Sequence, residues 1–282
     1  MMQDKKFYIH LVSDSTGETL EGIANAALSQ FEGVNVSRHY WPLMRTSMQM
    51  ERVIEDIAEQ PGLVMYTLVN DDIRSTLESC CSERDLPTIS VMDPLINLLA
   101  TYFGTKSAGK PGLQHTMDSE YFNRIEAVQY TMSHDDGQLS HDLKDADIII
   151  LGVSRSSKTP TSMYLANKGF RTANIPFVPN CPLPDGFDTI TDKFVVGLTT
   201  SPDRLAQIRT NRLRSIKEES ETDYTDIDLI SEEVLACRRY CNEHGWPVID
   251  VTRRSIEESA VAILHKYFAW KEAHKKEMGV SQ

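Results

Sequence analysis

The feature that most constrains this chain is an apolar run that leads directly into a glycine-to-lysine motif. Residues 148–151 read Ile-Ile-Ile-Leu, and the next eight residues are Gly152, Val153, Ser154, Arg155, Ser156, Ser157, Lys158 and Thr159. The phosphate-binding pattern Gly-x-x-x-x-Gly-Lys-Ser/Thr matches this segment, except that Ser157 stands where the second glycine belongs. Helix-forming residues follow as far as Asn167. The sequence therefore predicts a buried strand, a tight loop and a helix in succession.

A loop of this kind binds anions through its backbone. Successive N–H groups point at one spot, and the N-terminus of the following helix adds a partial positive charge there. We predict that all eight residues, 152–159, contact phosphate, that Lys158 supplies a full charge and that Thr159 holds a metal ion. Glycine adopts a positive φ without cost but serine does not, so Ser157 predicts a loop shaped differently from the usual one. The alternative is a polar turn whose hydroxyls only cap the helix.

The first hundred residues alternate between strand-like and helix-like patterns. Apolar runs rich in β-branched and aromatic residues alternate with stretches in which apolar residues recur every three or four positions. Repeated strand–helix units of this kind predict a parallel sheet covered by helices. The predicted strands are residues 7–12, 34–41, 63–69 and 88–91, and the predicted helices are residues 19–31, 48–59, 71–84 and 95–103.

The alternation is interrupted at residues 104–112, which are rich in glycine and lysine, and it resumes near residue 143. We therefore predict an α/β protein with an N-terminal parallel-sheet domain (1–104), a linker and bridging helix (105–142) and a C-terminal P-loop kinase-like α/β domain (143–282). Pro176 predicts an edge or a bend in its strand. The predicted elements after residue 104 are helices at 118–132, 202–217 and 226–244, strands at 148–151, 172–178, 194–198 and 247–251, and a last helix opened by a capping box at Ser255 and Glu258.

Two further segments of the second half are candidates for chemistry. His134, Asp135 and Asp136 form the most concentrated set of groups that could orient or deprotonate an acceptor hydroxyl; the alternative is a polar turn that ends a helix. Arg204 opens a basic helix that could close over phosphates; the alternative is a solvated helix face. The other basic residues of that helix are Arg209, Arg212, Arg214 and Lys217.

A polar turn also follows the first predicted strand, at residues 13–19. Ligands of α/β sheets usually bind at the carboxyl ends of strands, so this turn could bind a phosphate or a partner peptide. Ser15 and Glu18 also have the spacing of a capping box, which would make the turn purely structural. The sequence leaves both alternatives open.

Composition excludes several other classes of protein. The net charge of −12 leaves no basic field that could neutralise a nucleic acid. The apolar runs are too short to span a membrane, and no signal peptide is recognisable. Five cysteines without a matching set of histidines do not make a zinc site, and we expect reduced thiols in a cytoplasmic protein.

Taken together, four segments resemble the pyruvate, phosphate dikinase regulatory proteins, a family with a close branch that regulates phosphoenolpyruvate synthase. The resemblance covers nearly the whole chain, and its most specific part is the loop extended through Pro160. The Ser-Asp-Ser-Thr-Gly-Glu-Thr start is more similar to the dikinase branch. The four segments are residues 11–19, residues 134–137, residues 152–162, and Gly197-Leu198-Thr199 with Arg204-Leu205 and Ile208-Arg209.

The resemblance implies a bifunctional enzyme. It would phosphorylate a threonine of the dikinase with ADP as donor, and it would remove that phosphate by phosphorolysis, with inorganic phosphate as acceptor and pyrophosphate as product. On this reading Lys158 stabilises the transferring phosphoryl group, Thr159 holds Mg²⁺ if a metal is used, and Arg155 or Arg204 neutralises the leaving oxygen. Asp135 or Asp136 would orient the threonine hydroxyl. A homodimer is the expected assembly.

Three alternatives remain open from the sequence. The same chemistry could act on phosphoenolpyruvate synthase. The chain could instead be a kinase of small molecules that prefers ATP. It could also be a non-catalytic nucleotide sensor that acts by occupancy of its partner.

Overall fold

The computed structural model describes residues 5–113, 119–137, 143–184, 187, 190, 192–215 and 224–277. The chain divides into two compact units, Met1–Thr116 and Met117–Gln282. The predicted linker segment, 105–142, is thus divided between the two units, and its residues 114–118 and 138–142 lie outside the described residues.

Unit 1 is a four-stranded parallel sheet with the order β2-β1-β3-β4. The predicted alternation of strands and helices is confirmed for all eight elements, and the differences are confined to one or two residues at most ends. The elements are β1 (Lys6–Ser13), α1 (Glu18–Leu28), β2 (Asn35–Trp41), α2 (Ser47–Glu59), β3 (Leu63–Thr67), α3 (Asp71–Glu83), β4 (Thr88–Ser90) and α4 (Asp93–Phe103).

Side chains of β1 alternate between the two faces of this sheet. Val12 packs in a cluster with Met50 and Val53 of α2, whereas Leu11 packs on the other face with Leu20 of α1. Helices thus cover both faces, as expected for a parallel sheet. The polar loop after β1 is thereby held at the carboxyl edge of the sheet.

The capping box, one of the two alternatives for Ser15 and Glu18, is wrong. Helix α1 begins at Glu18, and its N-cap is Gly17, with φ 84° and no side-chain cap. A left-handed residue at this place favours glycine, because a Cβ atom destabilises that conformation. The chain therefore enters α1 through a glycine turn rather than through a hydroxyl cap.

Unit 2 contains a second four-stranded parallel sheet, with the order β6-β5-β7-β8. The predicted strands and helices of this half are also confirmed, including the capping box between Ser255 and Glu258. The elements are α5 (Ser119–Ser133), a 3₁₀ turn (Asp135–Gly137), β5 (Ile148–Gly152), α6 (Lys158–Asn167), β6 (Thr172–Pro176), β7 (Phe194–Thr199), α7 (Pro202–Ser215), α8 (Ile227–Glu243), β8 (Val248–Asp250) and α9 (Ile256–Glu277).

Two ends of these predictions fall outside the described residues, namely Asp118 before α5 and Lys217 after α7. Strand β6, which Pro176 ends, lies at the edge of the sheet as predicted. The two sheets together confirm the predicted α/β class.

Strand β5 is fully buried because both of its faces are covered. Ile149 and Leu151 pack in a cluster with residues of α8 such as Val234, whereas Ile150 packs with Leu165 of α6 on the opposite face. This explains the unbroken apolar run in the sequence. Since β5 lies between β6 and β7, the chain leaves it at the point where the strand order reverses, which is where open α/β sheets bind ligands.

Within the described residues, no helix has the combined length and apolarity that crossing a membrane requires. Cys81, Cys237 and Cys241 are buried and Cys181 is exposed, and all five cysteines of the chain are free thiols.

Candidate active site

The loop at residues 152–159 joins β5 to α6, as the motif predicted. A Cβ atom on Gly152 would lie 2.6 Å from the backbone oxygen of Leu198 in β7 and 2.9 Å from the Ser156 hydroxyl oxygen. Both distances are shorter than any real Cβ contact, so only glycine fits at this position. The first glycine of the motif therefore allows the loop to leave the sheet close against β7.

Two residues of the loop that are not glycine have left-handed backbones: Arg155, with φ 69°, and Ser157, with φ 62°. Ser157 is the N-cap of α6, and it adopts the sign of φ that a glycine would adopt without cost. The predicted difference in loop shape is therefore not found in the backbone of Ser157. A residue with a Cβ atom is less stable by about 1–2 kcal/mol in this left-handed conformation. Residues of this handedness turn successive N–H groups toward one side, which makes an anion-binding concavity.

Lys158 is the first residue of α6, and it is buried, with 5% of its surface exposed. Its ammonium group donates to the Val153 carbonyl oxygen at 3.1 Å. Burial lowers the pKa of Lys158 to about 8, although the nearby carboxylates of Asp136 and Asp135 act in the opposite direction. A buried cation at the positive end of a helix is unfavourable by itself, so this position favours the binding of an anion.

The structure brings the acidic turn, residues 134–136, to this loop. The Thr159 hydroxyl donates to the Asp135 carboxylate at 3.0 Å. Asn174 of β6 donates its side-chain amide to Thr159 Oγ1 at 3.0 Å and also to Asp135 Oδ1. The backbone N–H of Asn174 donates to the His134 carbonyl at 2.9 Å. These bonds place two carboxylates beside the N-terminus of α6.

The two aspartates of the turn differ in where they lie. Asp135 is half-buried and bonded to Thr159 and Asn174, whereas Asp136 is exposed and has a left-handed backbone, with φ 50° and ψ 36°. Asp136 lines the cavity at the loop, whereas Asp135 is not among the described residues that line it. Asp136 is therefore the carboxylate that a bound substrate would meet.

His134 is buried, and its ring stacks on Tyr130 with 3.8 Å between the ring centroids. Its Nδ1 lies 2.8 Å from the Tyr130 carbonyl oxygen. These contacts anchor the acidic turn to the end of α5. The catalytic role that we predicted for His134 stays a prediction.

The loop and the acidic turn border a cavity of about 350 Å³. Its polar side is formed by the loop and Asp136, and a second side is apolar. The described lining residues are Asp136, Ser154, Arg155, Ser157, Lys158, Thr159, Pro160, Pro176 and Ile208.

The predicted arginine lid divides into exposed and buried members. Arg204 is exposed in the first turn of α7, and it is not among the described residues that line the cavity. Arg209, by contrast, is 1% exposed and reaches the loop from behind, where its guanidinium donates to the Ser154 carbonyl at 3.3 Å. It also forms a salt bridge of 2.5 Å with Glu233 and donates to the Tyr224 carbonyl at 3.2 Å.

No group of three or more His, Cys, Asp or Glu side chains capable of holding a metal occurs in the described part of the chain. A hard cation such as Mg²⁺ keeps several waters and needs only one or two protein oxygens when it also binds phosphates. The Thr159 hydroxyl donates to Asp135 and accepts from Asn174, which leaves it one lone pair. The Thr159 hydroxyl therefore fits a Mg²⁺ ion that is bound together with phosphates.

The sequence did not indicate Asn174 as a site residue, and it indicated Arg209 as a member of the predicted basic lid and of the Ile208-Arg209 segment of the resemblance. Asparagine is unfavourable in strands, so an asparagine within the segment Thr-Ala-Asn-Ile-Pro is a signal that could have indicated Asn174. The structure corrects the position of Arg209: it is buried and supports the loop through the Ser154 carbonyl, and no local pattern predicted its burial.

The fold and the site define an α/β protein in which a strand–loop–helix segment places a buried lysine beside a cavity that an aspartate also lines. The model of the family described as kinase/pyrophosphorylase matches residues 9–264. The chain therefore belongs to the kinase/pyrophosphorylase family, as the resemblance predicted.

Three curated relatives that are similar over almost the whole chain carry the name pyruvate, phosphate dikinase regulatory protein. The protein of Rhizorhabdus wittichii is 52% identical over 260 residues, which are 92% of this chain and 95% of the relative. The protein of Erythrobacter litoralis is 49% identical over 260 residues, covering 92% and 94%. The protein of Paramagnetospirillum magneticum is 49% identical over 276 residues, covering 98% and 88%.

Proposed function

We propose that this protein regulates pyruvate, phosphate dikinase by reversible phosphorylation of a threonine. In one direction it would transfer the β-phosphate of ADP to the threonine and inactivate the dikinase. In the other direction inorganic phosphate would take up that phosphoryl group, and pyrophosphate would leave. The family and the names of the relatives support the class of reaction and the protein substrate.

The observation that carries this proposal is that Lys158 and Asp136 line the same cavity. Phosphoryl transfer depends mostly on positioning and on neutralising charge, and these two groups supply charge on the phosphate side and a base on the acceptor side. In the kinase direction the threonine oxygen bonds to the β-phosphorus, the bond from that phosphorus to the α-phosphate oxygen breaks, and AMP leaves. The hydroxyl proton passes to the carboxylate of Asp136.

The reverse reaction uses the same positions. An oxygen of inorganic phosphate, bound where the α-phosphate of ADP lies, attacks the phosphorus of phosphothreonine. The bond to the threonine oxygen breaks, and Asp136 returns the proton to it. Pyrophosphate thus corresponds to the diphosphate of ADP without its adenosine, so one loop serves both directions.

We assign the remaining residues of the site as follows. The N–H groups of residues 152–159 and the ammonium of Lys158 hold the two phosphates, and Arg155, which lines the cavity, neutralises the leaving oxygen. Mg²⁺, when bound, supplies further neutralisation through Thr159. The apolar side of the cavity, formed by Pro160, Pro176 and Ile208, suits the adenine of ADP. Arg204 as a lid, the cytoplasmic location and the homodimer stay predictions.

Mass spectrometry tests this function directly. Incubation with ADP and the phosphohistidine form of pyruvate, phosphate dikinase should produce phosphothreonine on the dikinase, and subsequent addition of inorganic phosphate should remove it and release pyrophosphate. Phosphothreonine on phosphoenolpyruvate synthase instead of the dikinase would mean that the same reaction has that enzyme as its protein substrate. Preference for ATP and a metabolite, or binding of ADP without phosphothreonine, would refute the proposal.

A further inference from the structure

Asn174 links three parts of unit 2 that lie far apart in the sequence. It is fully buried in the edge strand β6. Its backbone N–H donates to the His134 carbonyl, and its side-chain amide donates to both Asp135 and Thr159. One side chain therefore connects the acidic turn to the first turn of α6.

The orientation of this amide follows from its neighbours. The reversed orientation would place the Asn174 oxygen against the Asp135 carboxylate, and two acceptors repel each other at hydrogen-bond distance. In the observed orientation the Asn174 oxygen is buried without a hydrogen-bond partner among the described residues. Leaving a buried oxygen without a partner costs about 1–3 kcal/mol. The two bonds that the amide donates therefore have to outweigh this cost.

We propose that Asn174 is a positioning residue, whose amide holds the Asp135 carboxylate against the Thr159 hydroxyl and thereby fixes the acidic turn so that Asp136 faces the cavity. Its effect on phosphoryl transfer rests on the proposed function, whereas its effect on the geometry of the loop does not. Asp135 is then an anchor, and Asp136 is the carboxylate that meets the substrate.

Exchange of the two side chains tests this arrangement. N174D places two carboxylates against each other, and D135N places two amides there, but the N174D/D135N double variant restores a donor and an acceptor with the polarity reversed. The matched control is N174D/D145N, which has the same net charge as the exchange and keeps two carboxylates in contact, because the exposed Asp145 precedes β5 and lies outside the site. N167D places the same added charge at the exposed end of α6.

The first measurement is the affinity for pyrophosphate by calorimetry, which does not depend on catalysis. We expect N174D to bind pyrophosphate about tenfold more weakly, the exchange to recover to within about threefold of the wild type, and N174D/D145N to stay weak. Equal recovery by both double variants would mean that net charge alone matters, and failure of the exchange to recover would mean that the weak binding of N174D does not come from the loss of this donor–acceptor pair. Either result would overturn the proposal.

The second measurement separates kcat from KM in the kinase direction. Because the acidic turn acts on the threonine hydroxyl, and because N174A, unlike N174D, adds no carboxylate beside Asp135, N174A should lower kcat by about tenfold or more and change the KM for ADP by less than about threefold. A kcat within about twofold of the wild type would overturn the positioning role. If N174A does not fold, the exchange variant takes its place. If the wild type forms no phosphothreonine, the proposed function fails by itself, and the pyrophosphate measurement still decides the role of Asn174.

Discussion

Units 1 and 2 share one sheet topology, but they differ in the charge at the N-terminus of the helix that follows the first strand. In each sheet the first strand lies second, its successor lies at the edge, and the third and fourth strands follow on the other side. In each unit the polar loop after the first strand leads into a helix at the point where the strand order reverses. The sequence has no recognisable repeat, so this correspondence appears only in the fold.

The two loops end in the same way and then diverge. Gly17 and Ser157 are the N-caps of α1 and α6, and both have left-handed backbones. The next residue is Glu18 in unit 1 and Lys158 in unit 2. A carboxylate stabilises a helix N-terminus, whereas an ammonium group destabilises it unless an anion binds.

In unit 1, residues of the unit itself supply the hydrogen bonds and the negative charge at this loop. The buried Asp14 carboxylate accepts from the Val69 N–H at 2.7 Å, and acidic side chains occupy the first turn of α1. The loop of unit 2 has no acidic residue in the first turn of α6. The same fold therefore carries a self-compensated loop in one unit and a loop that favours an anion in the other, because side chains rather than topology determine the chemistry of a site.

The largest effect should come from replacing Lys158, one of the two residues that distinguish the loops. K158A removes the charge at the transferring phosphate, and we expect both the kinase and the phosphorolysis rates to fall by about a thousandfold. E18A, at the same place in unit 1, should leave both rates within about twofold. K168A, at the exposed C-cap of α6, is a second control.

Assays of both reactions with the purified variants decide this comparison. Full phosphorolysis by K158A would contradict the use of one loop in both directions. A large loss of rate in E18A would show that the loop of unit 1 also takes part in the reaction.

Removal of Arg209 should destabilise unit 2 alone. R209M leaves the Glu233 carboxylate and the Ser154 carbonyl without their buried partner, and we expect a loss of about 3–5 kcal/mol. Hydrogen exchange resolved by mass spectrometry measures the amides of the two sheets separately, so protection should fall in β5–β8 and not in β1–β4. R212M, an exposed change on the same helix, should cost less than about 0.5 kcal/mol. Equal loss in both sheets would contradict this prediction.

The pH dependence of stability should differ in sign between the two buried charges. The pKa of Lys158 is lowered from 10.5 to about 8 in the folded protein. Between these values the unfolded state binds more protons than the folded state, so this group makes the protein more stable as the pH rises through that window. Relative to K158M, the wild type should gain up to about 3 kcal/mol from pH 8 to 10.5.

Burial raises the pKa of the Asp14 carboxyl above 3.8. Just above pH 3.8 the folded state therefore holds the proton while the unfolded state releases it, and stability relative to D14N should fall as the pH rises through that window. Urea unfolding at several pH values measures both differences. Parallel curves for the wild type and K158M between pH 8 and 10.5 would contradict the lowered pKa of Lys158.

The smallest effect concerns the residues at the two N-caps. S157G relieves a left-handed serine and should stabilise unit 2 by about 1 kcal/mol or less, whereas G17A creates the same strain and should destabilise unit 1 by about 1 kcal/mol. A Cβ atom on Gly17 would have an ordinary contact at 3.7 Å, so G17A tests backbone strain without a clash. Thermal unfolding and hydrogen exchange detect both changes, and opposite signs from those stated would contradict the comparison.

The sequence predicted the elements well because their signals are local. Four consecutive apolar residues at 148–151 indicate a strand buried on both faces, and the distance from Gly152 to Lys158 is a property of one short segment. The edge position of the strand that Pro176 ends also followed from one residue. The capping box at Ser15 and Glu18 failed, since spacing alone does not reveal that Gly17 turns the chain into α1.

The sequence by itself determined the α/β class, the strand–loop–helix around Lys158 and the acidic turn as a candidate, because burial patterns and turn residues act over a few positions. Only the tertiary structure decided which carboxylate lines the cavity, that Asn174 binds the turn to α6, and that Arg209 supports the loop from behind. Those contacts join residues 15 to 55 positions apart. These contacts form because the order of the strands brings the carboxyl ends of β5 and β6 close to α7. No local sequence pattern specifies that order.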